Sequence, residues 1–444
     1  MGEKPSQDTP RPRSTKTATA AMAAAGLAVL GTRRAKGAPK VFRAGLIGCG
    51  GRGNGAARDI LQAGKVLGLD IKLTALADAF EHRVKGTQAG LKKSGHDIPD
   101  SHCFVGFDGY KKLIDSGVDI VLMATPPGFR PLHFETAVKA GKHTFFEKPV
   151  AVDPAGCTRM LEASKIARQK NLACVTGTIY RHHTAYLGTH KLIADGAIGR
   201  IRGGAIYYCT GRLWVRPRQP GQTDAEYMAN NWYNYVQLSG DHIVEQHVHT
   251  IDVLNWFMGS HPIAATGFGW RHRRKTGNLY DELSIDYEYI DGVRIHSMCR
   301  QISGCWSSVN RHLVGEKGWT NCAGKVQLWD GTKLDIPQVK SDHSNPYVQE
   351  HVDMLRSILD GKPLDETENI THSTATAIIG RDSAYTGKRI VWEQMMKENQ
   401  QLTPTPEDFE TGDVGDVEDD IWPIPGGAGA RKRKPRKKKA QAKK

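Results

Sequence analysis

The sequence predicts a two-domain α/β protein, a doubly wound parallel sheet followed by a strand-rich α+β domain. Three observations predict it. An apolar run breaks into a glycine loop and then a helix in "KVFRAGLIGCGGRGNGAARDIL"; strands and helices alternate after it; and short strands dominate further on. At 444 residues, 39% hydrophobic and 24% charged, the chain is long enough for two cores and has the composition of a globular protein.

Residues 1–38 have the layout of an export signal. "RPRSTK" is a basic n-region, "ATAAMAAAGLAVLG" a short apolar stretch, and "RRAKGAPK" offers small residues near Gly37 and Ala38. The apolar stretch is too short and too weakly hydrophobic to span a membrane, and no other segment is a candidate. Its features resemble twin-arginine signals, which export folded proteins, although the arginines read Arg11-Pro12-Arg13 and not as an adjacent pair. Export to the periplasm is expected, with a cytoplasmic protein bearing an uncleaved extension as the alternative.

In the first domain, expected over 39–170, Gly48, Gly50 and Gly53 match G-x-G-x-x-G. The first glycine permits a tight turn, the second lets a pyrophosphate approach the backbone, and the third lets helix pack on strand. The helix N-terminus that follows faces the phosphates. A second strand, "IKLTALAD", ends in Asp78, a carboxylate placed to accept ribose hydroxyls and repel a 2′-phosphate, which favours NAD over NADP. Asp78 falls 30 residues after Gly48, beyond the usual ~20, and the insertion "QAGKVLGLD" accounts for the difference. "VDIVLMATPP", "PLHFETAVKAGK", "HTFFEKPVAVD" and "ACVTGTIYR" continue the βαβ rhythm, so "ATPPGFR" and Glu147-Lys148-Pro149 leave strand ends at the ligand edge. On residue chemistry alone Lys148 is either a solvated strand-end charge or a functional amine.

The second domain, expected over 171–396, contains "RIRGGAIYYC", "AATGFGWR", "ELSIDYEYI", "VRIHSMCRQI" and "SVNRHLVGEKGWTNC" as strands, with "DG" at 291–292 marking a hairpin turn. Helical segments over 345–360 and 372–396 are expected to pack near the domain junction. The eight cysteines include no C-x-x-C pair; Cys299 and Cys305 are near enough to pair after export, but small buried thiols are the simpler reading.

"VEQHVHTID" places three metal-ligand residue types, His247, His249 and Asp252, within six positions. The apolar stripe Val244, Val248, Ile251, Leu254 and Met258 predicts one helix over 242–258, on which His247 and His249 diverge by about 200°. His-x-His chelates from a strand and poorly from a helix, so no metal site is expected. Glu245, His249 and Asp252 form a second, polar stripe, either a buried hydrogen-bonded set or a catalytic one. Aromatic and polar groups in "YRHH", "NNWYNY" and "GNLYD" either line a polyol pocket or pack loops; Arg181 and Trp232 are the candidates for a sugar-hydroxyl donor and a stacking platform.

Residues 397–444, acidic and then basic, read as a disordered tail. The net charge of +14 resides in the ends: ten basic residues in 431–444 and a net +6 in 1–40 leave about −2 for 41–430. With no aromatic residue among those lysines, a nucleic-acid partner is not indicated.

A "TPP…H…A…GKH…EKP" run after the glycine opening, with "GDHIVEQHVHTIDVLNWFMG", "NPYVQEHVDMLRSILDGKPL" and "STATAIIGRDSAYTGK", resembles the glucose–fructose oxidoreductase/inositol dehydrogenase (Gfo/Idh/MocA) family from about Val41 to Met396. The resemblance implies a Rossmann domain followed by a domain with a large, open, mostly antiparallel sheet, whose exposed face makes homo-oligomer contacts. Cofactor contacts are expected from Gly48, Gly50, Gly51, Arg52, Gly53, Asp78, Thr125, Pro126, His133 and Glu147. The resemblance makes Lys148 the lysine that touches the reacting hydroxyl and His249 the catalytic histidine, with Glu245 where the family usually has aspartate. Arg181, Trp232 and Asp252 are assigned to substrate. The implied activity is NAD(P)-dependent hydride transfer at a secondary hydroxyl or ketone of a sugar, cyclitol or sugar derivative. Two alternatives stand beside it: redox-assisted glycoside hydrolysis or elimination with tightly bound NAD, and a catalytically silent sugar or dinucleotide sensor, against which Lys148 and His249 argue.

Overall fold

A computed structural model describes residues 41–415, 417 and 423–425, so the expected signal and the basic run lie outside the described residues. The first sheet has six parallel strands: β1 (Val41–Ile47), β2 (Asp70–Asp78), β3 (Cys103–Val105), β4 (Ile120–Met123), β5 (His143–Phe146) and β6 (Cys174–Thr176). Their order is β3-β2-β1-β4-β5-β6, the doubly wound arrangement with its switch between β1 and β4. β4 is buried at every position, as expected of a strand covered on both faces. Because β6 belongs to this sheet, the first domain extends past the boundary expected at 170.

The second sheet has eight strands: β7 (Ile201–Thr210), β8 (Ala264–Trp270), β9 (Glu282–Glu288), β10 (Arg294–Gln301), β11 (Ser308–Gly315), β12 (Gly318–Thr320), β13 (Val326–Leu328) and β14 (Ile390–Val391). The order is β13-β12-β11-β7-β10-β9-β8-β14, with β7 and β10 parallel and the other pairs antiparallel. The turn at 291–292 joins β9 to β10, and Asp291 and Gly292 take φ of 59° and 73°, the left-handed values a tight hairpin requires. Helices Val248–Met258 and Thr367–Thr386 pack on the sheet. Phe268, Trp270 and Val309, on its strands, remain exposed.

The helix Pro346–Leu359 packs on Gly51–Leu67, and Thr367–Thr386 on Pro154–Gln169, so the late helices return to the nucleotide domain. The segment expected over 372–396 is two helices, divided where Gly387 caps the first in the left-handed region. The tail expected to be disordered from 397 is structured where described. Pro406–Thr411 is helical, with a Thr405–Asp408 capping box, and Phe409 and Val414 are buried. Its acidic composition concealed these apolar anchors. All eight cysteines are free; Cys299 is buried and Cys305 exposed. Among the described residues no helix is long and apolar enough to cross a membrane.

Candidate active site

Register brings four loops to one edge of the parallel sheet. Ile47 pairs with Ala77 and Met123, and Met123 with Phe146, so the chain leaves adjacent strands at Asp78, Gly48, Thr125 and Lys148 in that spatial order. The glycine loop is sterically specified. Gly48 has φ +96°, and a Cβ there would lie 2.7 Å from the Ala124 carbonyl carbon; one on Gly53 would lie 1.8 Å from the Gly48 oxygen. By contrast, Cβ atoms on Gly50 and Gly51 would point into open space, the cradle a pyrophosphate needs. Asp78 is held by backbone amides, accepting from Cys49 N at 2.8 Å and Phe80 N at 3.0 Å.

These loops border a cavity of about 890 Å³. Gly48, Gly50, Gly51, Arg52, Asp78, Thr125, Pro126 and His133 line it. His133 packs between Tyr110 and Phe129, and its Nδ1 meets Thr125 Oγ1 at 3.3 Å; burial, with Arg130 nearby, lowers its pKa to about 3. A neutral imidazole is thus fixed beside the loop. Arg52 also borders the cavity, but its guanidinium is committed to Glu147, to Asp59 at 3.0 Å and to Glu350 at 3.4 Å. Glu147 is not in the cavity lining; it is buried and anchors Arg52. Neither Glu147 nor Gly53 therefore has the expected direct exposure to this cavity, and both shape it from behind.

Beside this cavity is a second cluster. Lys148 Nζ donates to the Glu245 carbonyl at 2.7 Å and to Glu245 Oε1 at 3.2 Å, in a pair whose side chains are 10% and 9% exposed. Gln246 Nε2 donates to Glu245 Oε2 at 2.6 Å, and Tyr208 Oη donates to Gln246 Oε1 at 2.9 Å. Burial raises the Glu245 pKa against the opposing pull of Lys148 and Gln246. His249 meets Tyr180 edge-on at 5.8 Å, and its ring makes no hydrogen bond to another described residue. Burial first, then Lys148 and Arg311, push its pKa well below the ordinary range, leaving a neutral imidazole with a free acceptor.

The single helix expected over 242–258 is broken. His242–Glu245 and Val248–Met258 are separate, and His247 N donates to His242 O at 3.0 Å, one residue wider than an α-helical turn. That wide turn re-aims the residues between the halves. His247 turns inward, and its two ring nitrogens meet Ser297 Oγ at 2.7 Å and Thr250 Oγ1 at 2.6 Å.

With this geometry in view, the profile of an oxidoreductase family described by its NAD-binding Rossmann fold matches residues 42–177, and that of the Gfo/Idh/MocA C-terminal domain matches 186–321. The chain belongs to the Gfo/Idh/MocA oxidoreductase family. The inositol 2-dehydrogenase of Acidothermus cellulolyticus is 26% identical over 287 residues, 64% of this chain and 74% of that protein. The fold is shared with the myo-inositol 2-dehydrogenase of Lactobacillus plantarum (TM-score 0.59, 21% identity, 79% of this chain and 99% of that one). It is shared also with the scyllo-inositol dehydrogenase of Lactobacillus casei (TM-score 0.59, 18% identity, 80% and 100%), solved with NAD(H) and scyllo-inositol.

Three residues assigned to substrate occupy different places in this Gfo/Idh/MocA chain. Arg181 makes a two-point pair with Asp252, Nε–Oδ2 at 2.8 Å and Nη2–Oδ1 at 2.9 Å, and lies over the Trp256 ring at 5.2 Å. Asp252 also accepts from Ser373 at 2.9 Å and is buried, so its oxygens are spent inside the protein. Trp232 lines the 890 Å³ cavity with Asp78, and Lys148 is not among the residues that line it. Sequence reasoning missed Arg130, Gln246, Tyr208 and Arg311. Arg130 is buried and bonds both the Thr125 and Pro149 carbonyls, tying the two loops together; burial lowers its pKa to about 10. Its position four residues after Pro126 was the available signal. Arg311 donates to Tyr186 Oη at 2.8 Å and lies over Tyr180 at 4.6 Å, a placement that only the second sheet's register could reveal.

Proposed function

We propose that the protein is an NAD-dependent oxidoreductase acting on a secondary hydroxyl, or the matching ketone, of a cyclitol, sugar or sugar derivative. The observation that carries this reading is the Lys148–Glu245 pair beside the unbonded His249, at the edge of the sheet that carries the glycine cradle. The cradle at Gly50 and Gly51 and the carboxylate of Asp78 would hold NAD, which when bound supplies the hydride acceptor at its nicotinamide. His249, neutral and with a free acceptor, takes the hydroxyl proton of the substrate. Lys148 donates to the same oxygen and steadies its developing negative charge. Glu245 fixes the ammonium through both its backbone and side-chain oxygens, and Gln246 holds the far carboxylate oxygen. Arg181 and Asp252 position the helix that bears His249.

The relatives named as inositol dehydrogenases support a cyclitol among the first substrates to test. We also propose export in folded form through residues 1–38 to the periplasm, on the charge and apolar layout of that segment, and a homo-oligomer through the sheet face bearing Phe268 and Trp270.

The test is absorbance at 340 nm with NAD and a panel of inositols, aldoses and glycosides. Substrate-dependent NADH formation that falls at least about a hundredfold in Lys148→Ala and His249→Ala is expected. Glycoside cleavage with no net NADH would replace the dehydrogenase by the redox-assisted hydrolase or lyase. Full activity in Lys148→Ala would remove Lys148 from the proposed stabilisation of the substrate oxygen.

A further inference from the structure

Arg311 is a buried charge that the fold does not balance. It is 3% exposed, and only its Nη1 finds a hydrogen-bond partner, the Tyr186 hydroxyl at 2.8 Å. Nε and Nη2 are shielded from solvent and bond to no described residue, and among the described residues no carboxylate reaches ion-pairing distance. Two arginines buried to the same degree differ: Arg274 faces Asp281 at 3.4 Å and Arg381 faces Asp382 at 2.8 Å. Arg311 has instead the faces of Tyr180 and Tyr186, at 4.6 and 5.3 Å. A cation over an aromatic face recovers less than a carboxylate would, so the chain alone leaves this guanidinium under-compensated. Positions that weaken a fold without local return concentrate at functional sites.

The register puts that charge at the reaction centre. Arg311 pairs with Ile206 and Val309 with Tyr208, so all four side chains share the inward face of the second sheet. Val309 is exposed and Arg311, two residues further in, is not, so this row runs from solvent into the interior. Tyr208 bonds Gln246, which holds Glu245. Tyr180 carries Arg311 on its face and meets His249 edge-on at 5.8 Å. One ring therefore separates Arg311 from the imidazole that takes the substrate proton, and its positive charge helps keep that imidazole neutral. Lys148 and Arg181 are matched by Glu245 and Asp252. Arg311 has no such match and leaves its wall of the cleft positive.

We propose that the substrate is an acid: a polyhydroxylated ring or chain whose carboxylate, of the uronate or aldonate class, balances Arg311 while its hydroxyl meets Lys148 and His249. This rests on the oxidoreductase reading above and narrows its substrate. A charge set in an apolar wall acts over several ångströms, so the carboxylate is recognised by the field of Arg311 and needs no bond to the shielded nitrogens. A carboxylate carries one negative charge, matching the single guanidinium, whereas a phosphate monoester carries nearly two at neutral pH.

The test uses the full chain with NAD and follows absorbance at 340 nm with matched pairs. These are D-glucuronate and D-glucose, D-galacturonate and D-galactose, and D-gluconate and D-glucitol, with D-glucose 6-phosphate as the phosphate arm. The acid of at least one pair should show kcat/KM roughly ten- to a hundredfold above its neutral partner, and Arg311→Met should bring that ratio close to one. The same variant separates this role from a structural one by the sign of its effect on stability. With no unbalanced charge left inside, its urea midpoint should lie at or above that of the wild type. The preferred acid should raise the wild-type midpoint and not the variant's. Equal kcat/KM within every pair, a preference for the phosphate over the acids, a ratio that survives in Arg311→Met, or a lowered midpoint in that variant would each overturn the acid substrate and leave the oxidoreductase reading standing. NADH formation from none of these compounds, acid or neutral, would overturn both.

Discussion

Asp252→Ala tests whether the Arg181–Asp252 pair is structural. The carboxylate receives two parallel guanidinium bonds at 2.8 and 2.9 Å, and the two side chains are 13% and 3% exposed. Removing one partner of a buried pair leaves the other charge uncompensated, which costs about 3–5 kcal/mol. Two features place this case at the low end. Ser373 keeps a second acceptor, the Asn369 carbonyl at 3.1 Å, and Arg181 keeps the face of Trp256. The expected loss is therefore about 3 kcal/mol, read as a lowered urea midpoint by tryptophan fluorescence with the unfolding slope unchanged. The double variant Arg181→Met/Asp252→Leu, which removes both charges and retains volume, should recover most of it. A single-variant loss below about 0.5 kcal/mol, the range of ordinary surface changes, would refute the argument, as would a double variant no more stable than the single.

Gly53→Ala should abolish NAD binding, measured by NADH fluorescence titration, because its methyl would sit 1.8 Å from the Gly48 oxygen and force the phosphate loop out of shape. His249 is held neutral by burial, Lys148 and Arg311, so kcat/KM should hold as pH falls through the ordinary imidazole value of about 6.5, and Arg311→Met should move the acid limb upward; an unmoved limb would remove Arg311's influence. His182 lies between Asp353 at 2.6 Å and Glu366 at 3.2 Å; burial opposes its charge, but the two carboxylates prevail and raise its pKa to about 10. Since the folded value exceeds the unfolded one, its stabilisation is complete below about pH 6.5 and is lost as pH rises through about 10. Denaturation midpoints should fall between pH 7 and 10, and less steeply in His182→Gln.

Much of this arrangement was legible because it is local. The glycine spacing, Asp78 at a strand end and the Glu147-Lys148-Pro149 turn each lie within a few residues of the strand that positions them, so strand order alone brings them to one edge. What failed was non-local. The apolar stripe over 242–258 is compatible with one helix, and nothing in its period reveals the wide turn at His247, which is stabilised by Ser297 from β10. Trp232 has the chemistry of a sugar platform and of a purine platform alike; only the fold decides which cleft it faces. The tail read as disordered because acidic residues dominate its composition, yet the single ring of Phe409 finds a socket between Phe107 and Phe129.

The contacts of Phe409 and Val417 also set an order of events as the chain is made. Phe409 and Val417 leave the ribosome after both walls they bridge, and domains fold largely in the order of synthesis. Until they emerge, the cleft has both of its walls but lacks the Phe409 ring against Phe107 and Phe129 and the Val417 carbonyl that accepts from Tyr235.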